Sequence, residues 1–152
     1  MDLRQQFPRS VRDTLGGYVH LPRMIDKGRA VLTHTLGEYI FPCSLDQRLL
    51  DVLGLSPERF LQAVEEHGDS RIEGWLRQHT LSHTPQEIMD WNQTQLARGP
   101  DSEEKLNYFT QTRNAIDPTR SDITTWAALL DLEENRQVPP QIAPPHSPGV
   151  PA

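Results

Sequence analysis

SLDQRLLDVLG, at residues 44–54, carries the pattern that assigns this chain to a fold class. Its four leucines fall on one face of a helix with 3.6 residues per turn. Ser44 and Gln47 have the spacing of a capping box, in which each side chain bonds a backbone N–H of the first turn. Gly54 then supplies a left-handed stop. The segment therefore predicts an α-helix with one buried apolar side.

Similar boundaries recur along the chain. Further helices are predicted to begin near Pro22, Ser56, Ser70, Thr84, Asp101, and Ser121 or Asp122. No segment alternates with period two for long enough to predict a sheet. We therefore predict an all-α fold, with a single compact domain of about seven short helices over residues 1–136.

The C-terminal stretch has a different composition. Six of the thirteen prolines lie within residues 137–152, where hydrogen-bonded structure cannot form. We predict a disordered Pro-rich tail that samples polyproline II. The spacing from Pro145 to Pro148 to Pro151 resembles a PxxP ligand, so docking to an aromatic groove is the alternative to a plain tail.

Composition bears on the cellular compartment. Cys43 is the single cysteine among 152 residues, so the chain can form neither an internal disulfide nor a cysteine-based zinc cluster. The N-terminal MDLRQQ has no apolar segment of the secretory type. No apolar run approaches the roughly 18 residues of a membrane span. We expect a cytoplasmic protein that does not bind membranes.

Charge argues against a nucleic-acid partner. The formal net charge is −6, with six basic against four acidic residues in 1–40 and nine against seventeen in 41–152. Nucleic acids and anionic membranes attract a basic field, which this chain does not have. The slightly basic N-terminal part is compatible with a small anion or with an ordinary solvated surface.

Asp46 is the strongest candidate for a functional side chain. At 100° per residue it falls inside the apolar arc of its helix, so its carboxylate points partly inward. A buried carboxylate needs a cation or N–H donors. A structural anchor is the favoured interpretation, and a carboxylate within a functional site is the alternative. Cys43, one residue before this helix, is a small apolar residue or a nucleophile activated by a base such as His20.

Residues 16–27 form a second candidate region, with two glycines before a helix N-terminus that could receive an anion. Arg23, Asp26, Lys27 and His34 lie opposite the apolar stripe, which is typical of a solvated face. The alternative is an anion pocket. The candidate pocket residues are Tyr18, His20, Arg23, Asp26, Tyr39, Cys43 and Asp46.

His79 and His83 have the spacing of a helical metal pair, and His67 could join them. However, Thr84-Pro85 begins a new helix at once, so the two histidines do not share a face. We expect no metal site, and the sequence indicates no cofactor.

Three strings of sequence resemble one known family. They are Leu21-Pro22-Arg23-Met24-Ile25-Asp26-Lys27, the stretch from Leu36 to Asp46, and Asp122-Ile123-Thr124-Thr125-Trp126 followed by Leu129-Leu130-Asp131. They are similar to the bacterial family of domains of unknown function numbered 5069, over roughly residues 2–136. Ser44 stands where that family often has proline. The resemblance implies one compact domain and no established activity.

Two functional hypotheses follow. The favoured one is a binding or interaction module whose partner is a protein or a small molecule. The alternative is a small enzyme or metabolite-anion-binding protein with a pocket around Asp46, Cys43 and His20. The two differ in whether a concave pocket adjoins Asp46 and leaves its carboxylate incompletely paired. The sequence indicates no oligomeric state.

Overall fold

The computed structural model describes residues 1–142. The part of the predicted disordered tail at 143–152 lies outside the described residues. Residues 137–142 form no helix or strand, but two of them are hydrogen-bonded to residues 120 and 122. Arg120 donates to the carbonyl oxygen of Pro139 at 3.2 Å, and the amide of Gln141 donates to Asp122 at 2.8 Å. The start of the Pro-rich stretch therefore contacts residues 120–122.

Seven α-helices and one short β-hairpin make up the regular structure of residues 1–142, which confirms the all-α prediction. The helices are α1 (Leu21–Leu32), α2 (Ser44–Leu53), α3 (Pro57–Glu66), α4 (Asp69–His79), α5 (Pro85–Leu96), α6 (Glu103–Ile116) and α7 (Trp126–Glu133). A bilayer requires a helix of roughly 20 apolar residues. Among the described helices, none has the length and the apolar character for that.

The β-hairpin immediately precedes α1. Strand β1 (Thr14–Leu15) pairs antiparallel with β2 (Tyr18–Val19). Gly16 and Gly17 connect them with φ angles of 59° and 88°, a left-handed conformation that glycine adopts without a steric penalty. Asn92 of α5 accepts from the amide of Val19 at 3.1 Å and donates to the carbonyl oxygen of Gly17 at 2.8 Å. A ribbon of two residues per strand is too short to produce a period-two pattern in the sequence.

The chain divides into two compact units, Met1–Leu96 and Ala97–Ala152. The first unit contains the hairpin and α1–α5, and its core is built from residues of the hairpin and of α1–α4. Fully buried side chains there include Met24, Ile25, Leu49, Leu50, Phe60 and Ile72. The second unit has its own smaller core of Phe109, Ile123, Ala128 and Leu129.

The residues that cap α3 and α5 agree with the helix starts predicted from the sequence. Ser56 accepts from the amide of Arg59 at 3.1 Å, as predicted for the start of α3. Thr84 and Glu87 form a reciprocal capping box at the predicted start of α5, with distances of 2.8 and 3.1 Å. The predicted box between Ser44 and Gln47 is wrong, because α2 is capped one residue earlier.

Cys43 is the N-cap residue of α2. Its Sγ accepts from the amide of Asp46 at 3.5 Å, and the carboxylate of Asp46 accepts from the amide of Cys43 at 2.8 Å. This capping box places Asp46, rather than Gln47, at the third helical position, which directs its carboxylate back toward the start of the helix.

Gly54 ends α2 with φ 75°, and a Cβ at this position would lie 2.7 Å from Cγ of Leu81. We expect Gly54→Ala to lower the free energy of unfolding by about 1–2 kcal/mol, because alanine is strained in the left-handed region and would displace Leu81. Gly74→Ala is the matched control. Gly74 lies within α4, and its Cβ would meet no atom within 4 Å. This change should add about 0.5–1 kcal/mol. Urea denaturation measures both, and equal effects would contradict the prediction.

Candidate functional site

A buried group of polar side chains joins the N-terminal parts of α1 and α2. It consists of His20, Lys27, Cys43 and Asp46, and is called the Asp46 cluster below. Asp46 is fully buried, while His20 and Lys27 expose 1% and 3% of their surface. Cys43 is half-buried. Because ionisable groups are rarely buried without a partner, the contacts within this cluster decide whether it is stable.

The carboxylate of Asp46 has three hydrogen-bond partners. Its Oδ1 lies 2.6 Å from Nε2 of His20. Its Oδ2 accepts from Nζ of Lys27 at 2.6 Å and from the amide of Cys43 at 2.8 Å. Nζ of Lys27 also lies 3.4 Å from Sγ of Cys43. Both carboxylate oxygens are therefore engaged, which is the arrangement expected of a structural anchor.

Protonation states follow from these contacts. Burial alone would raise the pKa of Asp46, but the hydrogen bond from His20 and the charge of Lys27 outweigh burial and lower the pKa to about 2. Burial lowers the pKa of His20, although the neighbouring Asp46 acts in the opposite direction. At neutral pH a neutral imidazole therefore faces an ionised carboxylate, with the proton on Nε2. The other ring nitrogen, Nδ1, is buried without a hydrogen-bond partner.

His20 owes its position to the backbone. It is the N-cap residue of α1 and has φ 71°, which turns the chain from the hairpin into the helix. Lys27 follows two helical turns later and therefore lies on the same face of α1. The sequence interpretation did not include Lys27 in the candidate pocket, although its seven-residue spacing from His20 was visible.

The sequence pattern predicted that Arg23, Asp26, Lys27 and His34 lie on a solvated face. This prediction is wrong for the three residues that belong to α1. Arg23, Asp26 and Lys27 are each 3–4% exposed, whereas His34 is exposed. The N-terminal segment contributes to this burial: Arg9 donates to Asp26 through its amide at 2.9 Å and through its guanidinium at 3.1 and 3.0 Å. A helical pattern does not show that a preceding segment packs on its polar side.

Three further candidate residues, Arg23, Tyr39 and Asp26, do not belong to the Asp46 cluster. Arg23 donates to the carbonyl oxygen of Arg9 at 3.1 Å, and its guanidinium lies 5.5 Å from the ring centroid of Tyr39. Asp26 pairs with Arg9. The structure thus brings His20, Cys43 and Asp46 together with Lys27, while Asp26 belongs to a separate ion pair.

Tyr18 lines a different feature, a cleft with a volume of about 170 Å³ within the first unit. Its buried aliphatic side chains come from Leu21, Leu53 and Leu76, and Ile88 is partly buried. The polar side chains around it are Glu73, Arg77, Thr80, Ser82 and His83. Burial, with a contribution from Glu87, raises the pKa of Tyr18. None of the four residues of the Asp46 cluster lines this cleft.

The three histidines considered for a metal bind different carbonyl oxygens. Nδ1 of His67 lies 2.9 Å from that of Ala63, Nδ1 of His79 lies 2.9 Å from that of Trp75, and Nε2 of His83 lies 2.7 Å from that of Val52. Within the described residues these histidines form no group with the spacing of a metal site.

A family model described as "Domain of unknown function (DUF5069)" matches residues 5–136. The chain belongs to this family. The match includes the whole Asp46 cluster and all the residues that line the cleft. No curated protein matches the sequence.

The family match includes all three resembling strings. Two of the strings supply three of the four cluster residues, and His20 immediately precedes the first string. Lys27 ends the first string, while Cys43 and Asp46 end the second. In this DUF5069 chain the first two strings therefore correspond to contacting segments: Lys27 in the middle of α1 lies 2.6 Å from Asp46 in the first turn of α2. The sequence alone indicated the two segments but not this pairing.

Proposed function

We propose that residues 1–96 of this family member form a small-molecule-binding module, with the cleft as its ligand site. The proposal is based on the cleft of about 170 Å³, whose lining combines buried leucines with polar side chains. Ligand sites typically have mostly apolar walls and a few polar groups that orient the ligand. The alternative of an enzyme with Asp46 as base is less favoured, because three donors already occupy its carboxylate.

The volume of the cleft indicates how large its ligand can be. An apolar cavity of roughly 150 Å³ holds a benzene molecule, so this cleft matches one ring-sized group. An α-helix with its side chains is about 10–12 Å across and requires a longer groove. The volume therefore favours a small molecule over a helical peptide.

The charges around the cleft indicate whether its ligand is ionised or neutral. Arg77 donates to Glu73 at 3.3 Å on the surface of α4, so opposite charges adjoin at the cleft. The buried part of the lining consists of leucines and the ring of Tyr18, where an ionised group would be poorly solvated. His83 is already engaged, because its Nε2 lies 2.7 Å from the carbonyl oxygen of Val52. These contacts favour a neutral cyclic ligand.

Binding can be tested with indole and phenol as neutral probes, and with benzoate and benzylamine as charged analogues. We expect the neutral probes to shift the amide NMR signals of Gly16, Leu81 and Ser82, and the charged analogues to shift them less. Ser82→Trp should abolish these shifts, because the indole side chain would occupy the cleft at an exposed position.

Gln78→Trp is the matched control, since Gln78 is exposed on α4 and does not line the cleft. This variant should bind the probes as the parent chain does. The proposal is wrong if none of the four compounds shifts the cleft signals, or if Ser82→Trp and Gln78→Trp have the same effect on binding.

A further inference from the structure

We propose that His20, Cys43 and Asp46 form a binding site for a divalent zinc-class metal ion. One ligand atom from each residue, an imidazole nitrogen, Sγ and a carboxylate oxygen, lies within 4.8 Å of the other two. The proposed metal site shares no residue with the ligand cleft and does not depend on it.

The donor set matches this class of ion. Zinc is bound by imidazole nitrogen, thiolate sulfur and carboxylate oxygen, with bond lengths of about 2.0–2.3 Å. Two atoms bound to the same tetrahedral ion therefore lie roughly 3.3–3.6 Å apart. Nε2 of His20 and Oδ1 of Asp46 lie 2.6 Å apart, and one ligand atom from each of the three residues lies within 4.8 Å of the others. Shifts of about 1 Å would complete the geometry.

The three side chains are already restrained. Cys43 and Asp46 are linked by the reciprocal capping box at the start of α2. His20 is fixed by its left-handed backbone at the start of α1 and is 1% exposed. Restrained ligands lose little conformational freedom when an ion binds.

Nε2 of His20 is the nitrogen that can bind the ion, because it already lies 2.6 Å from Oδ1 of Asp46. His20 is 1% exposed, so water competes little for this nitrogen. In metal sites the other imidazole nitrogen carries the proton and usually bonds a carboxylate, a carbonyl or water. In His20 this nitrogen is Nδ1, which has no hydrogen-bond partner.

Binding would release one proton. The ion takes the place of the thiol proton of Cys43, while the imidazole proton of His20 moves from Nε2, which binds the ion, to Nδ1, so the ring stays neutral. Lys27 keeps its contact with the other carboxylate oxygen, Oδ2. Asp46 and Cys43 carry one negative charge each, so the ion and the ammonium group of Lys27 leave the site with one net positive charge. Three protein ligands leave a fourth position for water, and the half-buried Cys43 marks its exposed side.

The full chain should be purified with a chelator and titrated with Zn²⁺ and Co²⁺. We expect one equivalent of Zn²⁺ to bind in competition with a chromophoric chelator. Co²⁺ should produce the near-ultraviolet charge-transfer absorption of a cobalt–thiolate bond. Zn²⁺ should also protect Cys43 from alkylation, because the thiolate becomes a metal ligand.

Variants separate this site from binding at surface histidines. Cys43→Ser and His20→Asn should each weaken Zn²⁺ binding by roughly 100-fold, as loss of a ligand or of its support does. Asparagine tolerates the left-handed backbone at position 20, and circular dichroism checks the fold. His79→Asn is the matched control at an exposed histidine and should bind as the parent does. The proposal is overturned if Zn²⁺ does not bind, if Cys43→Ser binds it equally well, or if His79→Asn loses it.

Discussion

Asp46→Asn is expected to lower the free energy of unfolding by about 3–5 kcal/mol in metal-free buffer. The amide has nearly the same volume as the carboxylate but no charge, so Lys27 keeps a buried ammonium group without its counterion. Lys27 is 3% exposed and its Nζ lies 2.6 Å from the present carboxylate. Urea denaturation followed through the fluorescence of Trp75 and Trp91, both in the first unit, measures the loss.

Two further variants test whether the loss of stability in Asp46→Asn comes from the unpaired charge of Lys27. Asp51→Asn is the matched control, since Asp51 is exposed on α2 and should change stability by less than about 0.5 kcal/mol. The double variant Lys27→Met with Asp46→Asn should be more stable than Asp46→Asn alone, because the uncompensated charge is removed. A cost of Asp46→Asn no larger than that of Asp51→Asn would contradict the buried ion pair.

Phe60→Ala should cost about 3–5 kcal/mol, because it removes a large fully buried ring from the core of the first unit. Phe60 is 0% exposed, and its ring lies 6.0 Å from that of Phe41. Helix α1 also approaches the ring closely, since a Cβ on Gly28 would lie 3.3 Å from it. The cavity left by alanine would therefore lie between α1 and α3. Urea denaturation of the full chain measures the change.

Phe60→Leu should cost clearly less than Phe60→Ala, because it retains most of the buried apolar volume. Glu65→Ala, at an exposed position of the same helix, should stay within about 0.5 kcal/mol of the parent. If Phe60→Ala behaves like Glu65→Ala, the assignment of Phe60 to the core is wrong.

Local signals predicted the seven helices but only some of their first residues. The predicted starts at Ser70, Asp101, and Ser121 or Asp122 are wrong, because the N-cap residues are Gly68, Ser102 and Thr125. Ser56 and Thr84 cap their helices as expected, because a capping side chain bonds an amide only three residues away. The same signal misassigned the start of α2, where Ser44 and Cys43 compete for one position. Cys43 caps the helix because the short side chain of Asp46 reaches back to its amide.

The candidate site was predicted less completely. His20, Cys43 and Asp46 were chosen from the sequence, and the structure places one potential ligand atom of each within 4.8 Å of the other two. Tyr18 was placed in the same pocket but lines the separate cleft. The cleft was not predicted, because its lining comes from the hairpin, from α1, α2, α4 and α5, and from the loop between α4 and α5, and no local pattern records their packing.

The sequence by itself determined that the chain forms helices and that Asp46 points inward, because both depend on a period of 3.6 residues within one segment. Only the tertiary structure decided that Arg23, Asp26 and Lys27 are buried and which charges they meet. Burial of a helix's polar face depends on a segment that packs against it from elsewhere in the chain. Arg9 reaches Asp26 across 17 residues and Lys27 reaches Asp46 across 19, distances that a helical repeat does not encode.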